Sequence, residues 1–452
     1  MKRICITLSL ILFTATIFGQ AKNLTREQMI QDIDTLFSNI EKVHVDMYEA
    51  YPKQRIEKDI ETLKEKLKPT GNTLYFYKQV TPLVVNLEDG HTNVAFPFDA
   101  LENIPNLTLF PFYIKVTSPD KSIFVAENSV QPQNIIPVGA KITSINNRKA
   151  RVYVEKMMKY VSAEKDFYKT ELLEYFFTPL LYTLYQDSVF DIKYIYNGKK
   201  QAIRVKGISF KEKYEKLFQQ SNSEADVPYT FTILENANIG IIDFKSFVDV
   251  DKFKLFLDST FQVLQKENIG NLIIDIRENS GGNSALGDEL LQYISPVPFA
   301  QFGKTIVKTS DIQKQFFKSR YNKDISKPNG IEVFDENTEL TELRDNNFRY
   351  KGNVYLLISH KTFSAAASFA WAFKYFKIGS VIGEETGGLA VCFSNNVSQK
   401  LPNSGLYFNT SCGKYYLYGA TENNKHGTLP DYNVKREKAL DFTIELINGR
   451  NK

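Results

Sequence analysis

Ser364 stands between an apolar run, Val354-Tyr355-Leu356-Leu357-Ile358, and a segment in which Phe369, Ala370, Phe373 and Phe376 recur at near-helical spacing. The run has the continuous hydrophobicity of a strand covered on both faces. The helix is expected to begin at Ala365 and to stop at Gly379. A serine in that turn faces the unpaired amides and partial positive charge of a helix N-terminus, which stabilise negative charge on a bound carbonyl oxygen. Its hydroxyl is therefore placed to act as a nucleophile, the ordinary alternative being a simple helix cap. A second strand-turn-helix unit lies upstream, with Asn271 to Asp275 leading through Arg277, Asn279, Gly281 and Gly282 to a helical pattern from Ala285 to Ile294. Parallel strands of this kind open their turns on one edge of a sheet, so the bare amides of Gly281 and Gly282 and that of Ala365 can gather beside Ser364.

The two units resemble the C-terminal processing, or tail-specific, serine proteases and their relatives, the tricorn core protease and interphotoreceptor retinoid-binding protein. The residues that carry the likeness are Asp275, Arg277, Asn279, Gly281 and Gly282, then Thr362-Phe363-Ser364-Ala365, then Gly383-Glu384-Glu385-Thr386. The resemblance implies an α/β catalytic core, a crotonase-like mixed sheet with flanking helices. It also implies Ser364 as nucleophile and an oxyanion hole from Gly281 or Gly282 and Ala365. The bacterial and plastid processing proteases use a Ser-Lys dyad, and ungapped counting brings their lysine to Leu389, which accepts no proton. Thr386-Gly387-Gly388-Leu389-Ala390 instead resembles the tricorn and retinoid-binding branch, whose proteolytic members use Ser, His and Glu.

A histidine base is then required, and the chain offers His44, His91, His360 and His426. His91 follows Leu87-Glu88-Asp89-Gly90 at the end of a segment in which Phe76, Val80, Leu83, Val84 and Leu87 share a helical face, with Pro82 read as the first turn of a new helix. Asp-Gly-His at that place is what the branch shows, so His91 is the expected general base. His360, four residues before the serine, is the rival. An imidazole base needs its other nitrogen oriented by an acceptor. The resemblance puts that role on Glu422, ahead of Gly427-Thr428-Leu429-Pro430-Asp431, with Asp89 and Glu384 as alternatives.

The elements that must hold these residues are legible in outline. Residues 1–20 read as a signal peptide: Lys2-Arg3, an apolar run from Ile4 to Phe18, then Gly19-Gln20-Ala21. Its apolar core is shorter than a membrane span, and the expectation is an exported, periplasmic or secreted protein. Residues 21–98 form an N-terminal helical region opened by the capping box Thr25 to Gln28. Residues 101–207 turn strand-like, with a hairpin at Asn197-Gly198 and a helical insertion from about Val152 to Tyr185. There Ile136 to Asn147 resembles a PDZ signature, although Asn106 to Phe112 lacks the glycines that hold a peptide carboxylate. Residues 226–438 would be the catalytic domain and 439–452 a C-terminal helix or tail.

The 452 residues carry 56 basic and 52 acidic side chains, a near balance that argues against a nucleic-acid surface. Beyond the signal the cysteines are Cys392 and Cys412, which could pair across a hairpin region. Neither has zinc-ligand spacing. The expectation is a serine endopeptidase acting on polypeptides through a Ser-His-Glu-type triad without a cofactor. A non-catalytic binding protein on the same fold is the alternative.

Overall fold

Short apolar segments of the C-terminal half assemble into one sheet, in the spatial order Tyr229–Leu234, Ile239–Phe244, Asn271–Asp275, Asn353–Ile358, Ser380–Gly383 and Tyr432–Asn433. The first pair is antiparallel and the rest are parallel. The computed structural model describes residues 23–128, 136–214, 227–234, 237–335 and 339–449, so the expected signal, residues 1–20, lies outside the described residues. Alternation along each strand sends side chains to two cores. Leu272, Ile274, Leu356 and Ile358 pack with Phe253, Leu257, Phe261, Leu290, Phe369 and Phe373 from helices Val250–Lys266, Ala285–Ile294 and Ala365–Tyr375. On the other face, Ile273, Leu357 and Ile382 meet Ala439 of the C-terminal helix Ala439–Ile447. This double coverage is why the strands read as unbroken apolar runs.

A second sheet, antiparallel throughout, runs Gly330–Asp335, Phe302–Thr309, Tyr407–Leu417 and Val391–Lys400. Its strand Tyr407–Leu417 also takes the short strand Asn93–Val94 of the N-terminal region, with Phe408 opposite Val94 and Asn409 opposite Asn93. That pairing ties the loop carrying His91 to the C-terminal half of the chain.

The N-terminal region consists of helices Arg26–Val43, Lys53–Lys66 and Thr73–Val85, the first opened by the reciprocal capping bonds of Thr25 and Gln28. Pro82 does not start a new helix. It lies inside a continuous one, where its neighbour Thr81 hydrogen-bonds back to the Tyr77 carbonyl. A third, antiparallel sheet joins Phe112–Val116, Ile123–Asn128, Lys141–Ile145, Val189–Tyr196 and Lys199–Lys206. Asn197 and Gly198 both have positive φ in its two-residue hairpin, the geometry that matches strand twist. The insertion between its strands forms helices Ala150–Met157 and Asp166–Tyr185. Glu171 and Glu174 of the longer helix pair with Arg436 and Lys361, locking the insertion onto the parallel-stranded half of the chain. Cys392 and Cys412 are not bridged: Cys392 faces Tyr415 across the hairpin.

Gly379 does not end the serine's helix, which stops at Tyr375, and Lys377 takes the left-handed position beyond it. The glycine is needed for a different reason. A Cβ there would lie 1.9 Å from the Val354 carbonyl oxygen, where the chain enters the next strand of the sheet. Gly379→Ala is therefore expected to lower stability by about 1–3 kcal/mol through overpacking. Urea unfolding measures this, and a variant as stable as the wild type contradicts the packing described.

Candidate active site

Ser364 has φ +51° and ψ −128°, a backbone conformation that side-chain-bearing residues rarely adopt. Strain of this kind costs on the order of 1–3 kcal/mol and persists only where surrounding bonds impose it. Here the Phe363 amide donates to the Asn279 carbonyl at 3.1 Å, and the Gly388 amide donates to the Thr362 carbonyl at 3.2 Å. The Thr362 hydroxyl donates to the Ile276 carbonyl at 2.9 Å, and Ser359 donates to the Arg277 carbonyl. These bonds staple the two strand-exit turns together. The Ser364 side chain makes no capping bond, so the cap reading fails. Its Oγ lies 3.1 Å from His91 Nε2.

The three expected oxyanion donors are not equivalent. Asn279, fully buried, donates through its amide to the Phe244 carbonyl at 2.7 Å and accepts the Gly281 N–H at 2.8 Å. The Gly281 amide is thereby engaged. Its role is spatial, because with φ +100° a Cβ at this position would stand 2.8 Å from Ala365 N and Ser364 Cβ. Gly282 meets Phe247 in an isolated ladder contact that uses the Gly281 carbonyl and the Asn283 amide, not its own N–H. Ala365 is the first helical residue, whose amide has no partner within the helix. Of the three expected donors, the Gly282 and Ala365 amides are the ones that make no hydrogen bond among the described residues.

His91 arrives on the turn after helix Thr73–Val85, and a buried carboxylate fixes that turn. Asp89 Oδ1 accepts the backbone N–H of His91 at 2.8 Å, while Oδ2 accepts Ser411 Oγ at 2.6 Å and His44 Nε2 at 3.2 Å. His44 Nδ1 accepts the Asp46 amide, which assigns its proton to the nitrogen facing Asp89. Burial alone would raise the Asp89 pKa, but the bonds from His44 and Ser411 hold it well below the usual carboxylate range. The His91 ring stacks on Phe363 at 4.6 Å between centroids, and Phe363 stacks in turn on Tyr168 of the insertion at 4.5 Å. Burial lowers the His91 pKa, against the opposing charge of Asp89 and the carbonyl of Phe393. The ring is consequently neutral, and able to accept a proton, at a pH below the ordinary histidine range.

Glu422 is not brought to His91. Its side chain is 59% exposed, and its carboxylate is taken by the Tyr416 hydroxyl and by Lys414 at 3.3 Å. Asp89 serves the His91 backbone instead of the ring, and Glu384 accepts the Arg436 amide at 3.2 Å. His360 is held away from Ser364 by a 2.9 Å contact with the Glu385 carbonyl and by stacking on Phe167. Leu389 is buried, and Lys361 is engaged by Glu174 and Glu278. Sequence reasoning missed His44 and Ser411, which lie 45 and 322 residues from Asp89 and carry no local signal.

Residues 238–434 match the model of peptidase family S41. The fold is similar to that of mature CPAF complexed with lactacystin, at 13% identity over 94% of this chain and 99% of that chain, with a TM-score of 0.65. Mature CPAF on its own is matched at 13% identity over the same shares, with a TM-score of 0.64. A looser likeness, at 16% identity and a TM-score of 0.46, covers 94% of this chain and 97% of the photosystem II D1 C-terminal processing protease. The matched segment contains both stapled turns and Ser364. The family match is thus to residues 238–434, and together with the fold it supports a serine-type peptidase of the tail-specific kind.

The electrostatics around His91 give a signed expectation. Asp89→Asn removes the negative charge that raises the His91 pKa, so the rising limb of the rate of acylation by a fluorophosphonate should move to lower pH. The new amide donor would face the Ser411 hydroxyl and His44 N–H, costing about 1–3 kcal/mol of stability. The rate–pH profile checks this, and a limb that stays or moves upward contradicts it.

Proposed function

We propose that the protein is an exported endopeptidase that cleaves polypeptides through an acyl-enzyme on Ser364. The observation that carries this reading is the 3.1 Å contact between Ser364 Oγ and His91 Nε2, with the serine held in a strained backbone conformation beside two uncommitted amides. His91, neutral at working pH, takes the hydroxyl proton as Oγ attacks the scissile carbonyl. The Gly282 and Ala365 N–H groups receive the developing oxyanion, a contribution commonly worth a hundredfold or more in rate. His91 then returns the proton to the leaving amine, and water releases the acyl group by the same steps reversed. Glu422 stands outside this machinery.

Export rests on the apolar leader, and no helix among the described residues is long and apolar enough to cross a membrane. The antiparallel sheet of residues 112–206 supports reading residues 101–207 as a PDZ-like module attached to a catalytic domain over residues 226–438. Its helical insertion reaches the site through Tyr168 and Phe363. It therefore contributes to the active-site wall as well as to the module.

Hydrolysis of fluorescein-labelled casein tests the assignment. Ser364→Ala and His91→Ala should each lower kcat/KM by about four to six orders of magnitude, since the groups act as a unit. Glu422→Gln should leave turnover near the wild-type value, because an exposed ion pair carries little energy. A near-normal His91→Ala variant contradicts the mechanism. So does a Glu422→Gln variant as inactive as Ser364→Ala.

A further inference from the structure

The mechanism leaves one nitrogen without an assigned partner. When His91 Nε2 accepts the Ser364 proton, Nδ1 carries the other ring hydrogen, and a positive imidazolium forms in a buried place. Nδ1 is enclosed and has no partner at full hydrogen-bond distance and angle among the described residues, although the Phe393 carbonyl favours the protonated ring. Asp89, the nearby carboxylate, has both oxygens committed to His91 N, Ser411 and His44.

A second carboxyl group approaches the same turn from the insertion. Glu164 lies just ahead of helix Asp166–Tyr185, and its Oε1 accepts the amide of Gly90, the residue before His91, at 3.1 Å. Its Oε2 is enclosed and, like His91 Nδ1, makes no hydrogen bond. Both groups border Phe363. The point where a Gly90 Cβ would stand is 3.0 Å from Glu164 Oε2 and 2.9 Å from Phe363 Cζ, and His91 stacks on that same ring. Cys392, next to the Phe393 that faces His91, also feels the Glu164 charge. A buried carboxyl group without a cation at contact distance is costly unless a positive charge appears beside it.

We propose that Glu164 is the positioning acid of the His91 base: its carboxylate compensates the imidazolium formed as Ser364 is acylated. This deepens the peptidase mechanism and rests on it. No net proton is consumed, because the proton passes from Ser364 Oγ to His91 Nε2 and on to the leaving group while Nδ1 keeps its own. The acid thus comes from the insertion of the strand-rich module, which makes docking of that insertion a condition of full activity.

The charge on Glu164 depends on pH. Burial, and after it the charge of Asp89, pushes its pKa up to about 8, against the Gly90 amide and Lys169. The groups that interact with it are Asp89 and the Gly90 amide on the helix-exit turn, Lys169 and Tyr168 on the insertion, and Cys392 on strand Val391–Lys400, with His91 one residue beyond Gly90. The wild-type rate should therefore climb twice with pH. The first rise follows loss of the proton from His91, and the second follows ionisation of Glu164 near pH 8.

Glu164→Gln tests the proposal, since the amide oxygen keeps the bond to Gly90 N while the charge is lost. The rate of acylation by a fluorophosphonate is measured from pH 5 to 9.5, with thermal unfolding alongside. At pH 6, where Glu164 is uncharged in the wild type, the two proteins should agree within about threefold; at pH 9 the variant should be about tenfold slower or more, with its second rise gone. Superimposable profiles, or a uniform slowing with the second rise intact, overturn the proposal. An unlabelled wild type overturns the serine mechanism itself, and the proposal with it, so the two failures are told apart.

Discussion

The Asp89 carboxylate holds together what the chain separates. His91 comes from the end of an N-terminal helix and Ser364 from a turn far along the sequence, and no local pattern brings them to 3.1 Å. Asp89 accepts from the His91 backbone, from Ser411 on strand Tyr407–Leu417 and from His44 at the end of the first helix. A charge buried this deeply is tolerated because each oxygen is satisfied. The pairing of Asn93–Val94 with Tyr407–Leu417 continues the same seam. The site is thus assembled at the meeting of the N-terminal helices with the C-terminal strands.

Around that seam the serine turn is rigid for reasons visible in its bonds. Asn279 ties the turn after strand Asn271–Asp275 to strand Ile239–Phe244, and its carbonyl accepts the amide of Phe363. Thr362 and Ser359 bind back to the neighbouring turn. Each bond replaces a contact the backbone would otherwise make with water. Together they offset the strain at Ser364 and leave the Gly282 and Ala365 amides free of the turn's own hydrogen bonds. The insertion completes the wall by stacking Tyr168 on Phe363, which itself packs on the His91 ring.

What was legible in the sequence was whatever is written locally. The two strand-turn-helix units, the serine between them, the hairpin at Asn197-Gly198 and the capping box at Thr25 all follow from periodicity and turn chemistry, and the structure contains each of them. Asp-Gly-His pointed to His91 by resemblance. Three-dimensional competition for bonding groups was not legible. Glu422 sits at a plausible sequence position, yet Tyr416 and Lys414 take its carboxylate. Gly281 looks like a donor until the Asn279 side chain is seen to use its amide. The helix boundary at Gly379 failed because Lys377 adopts the left-handed conformation usually left to glycine.

The account stands on Ser364 being an activated nucleophile. The most direct measurement is to treat the intact wild-type protein with a fluorophosphonate at neutral pH, digest it, and locate the phosphonylated residue by mass spectrometry. The account predicts a single stoichiometric adduct on Ser364, absent from protein denatured before treatment. An intact protein that takes no label, or takes it on another residue, would contradict it.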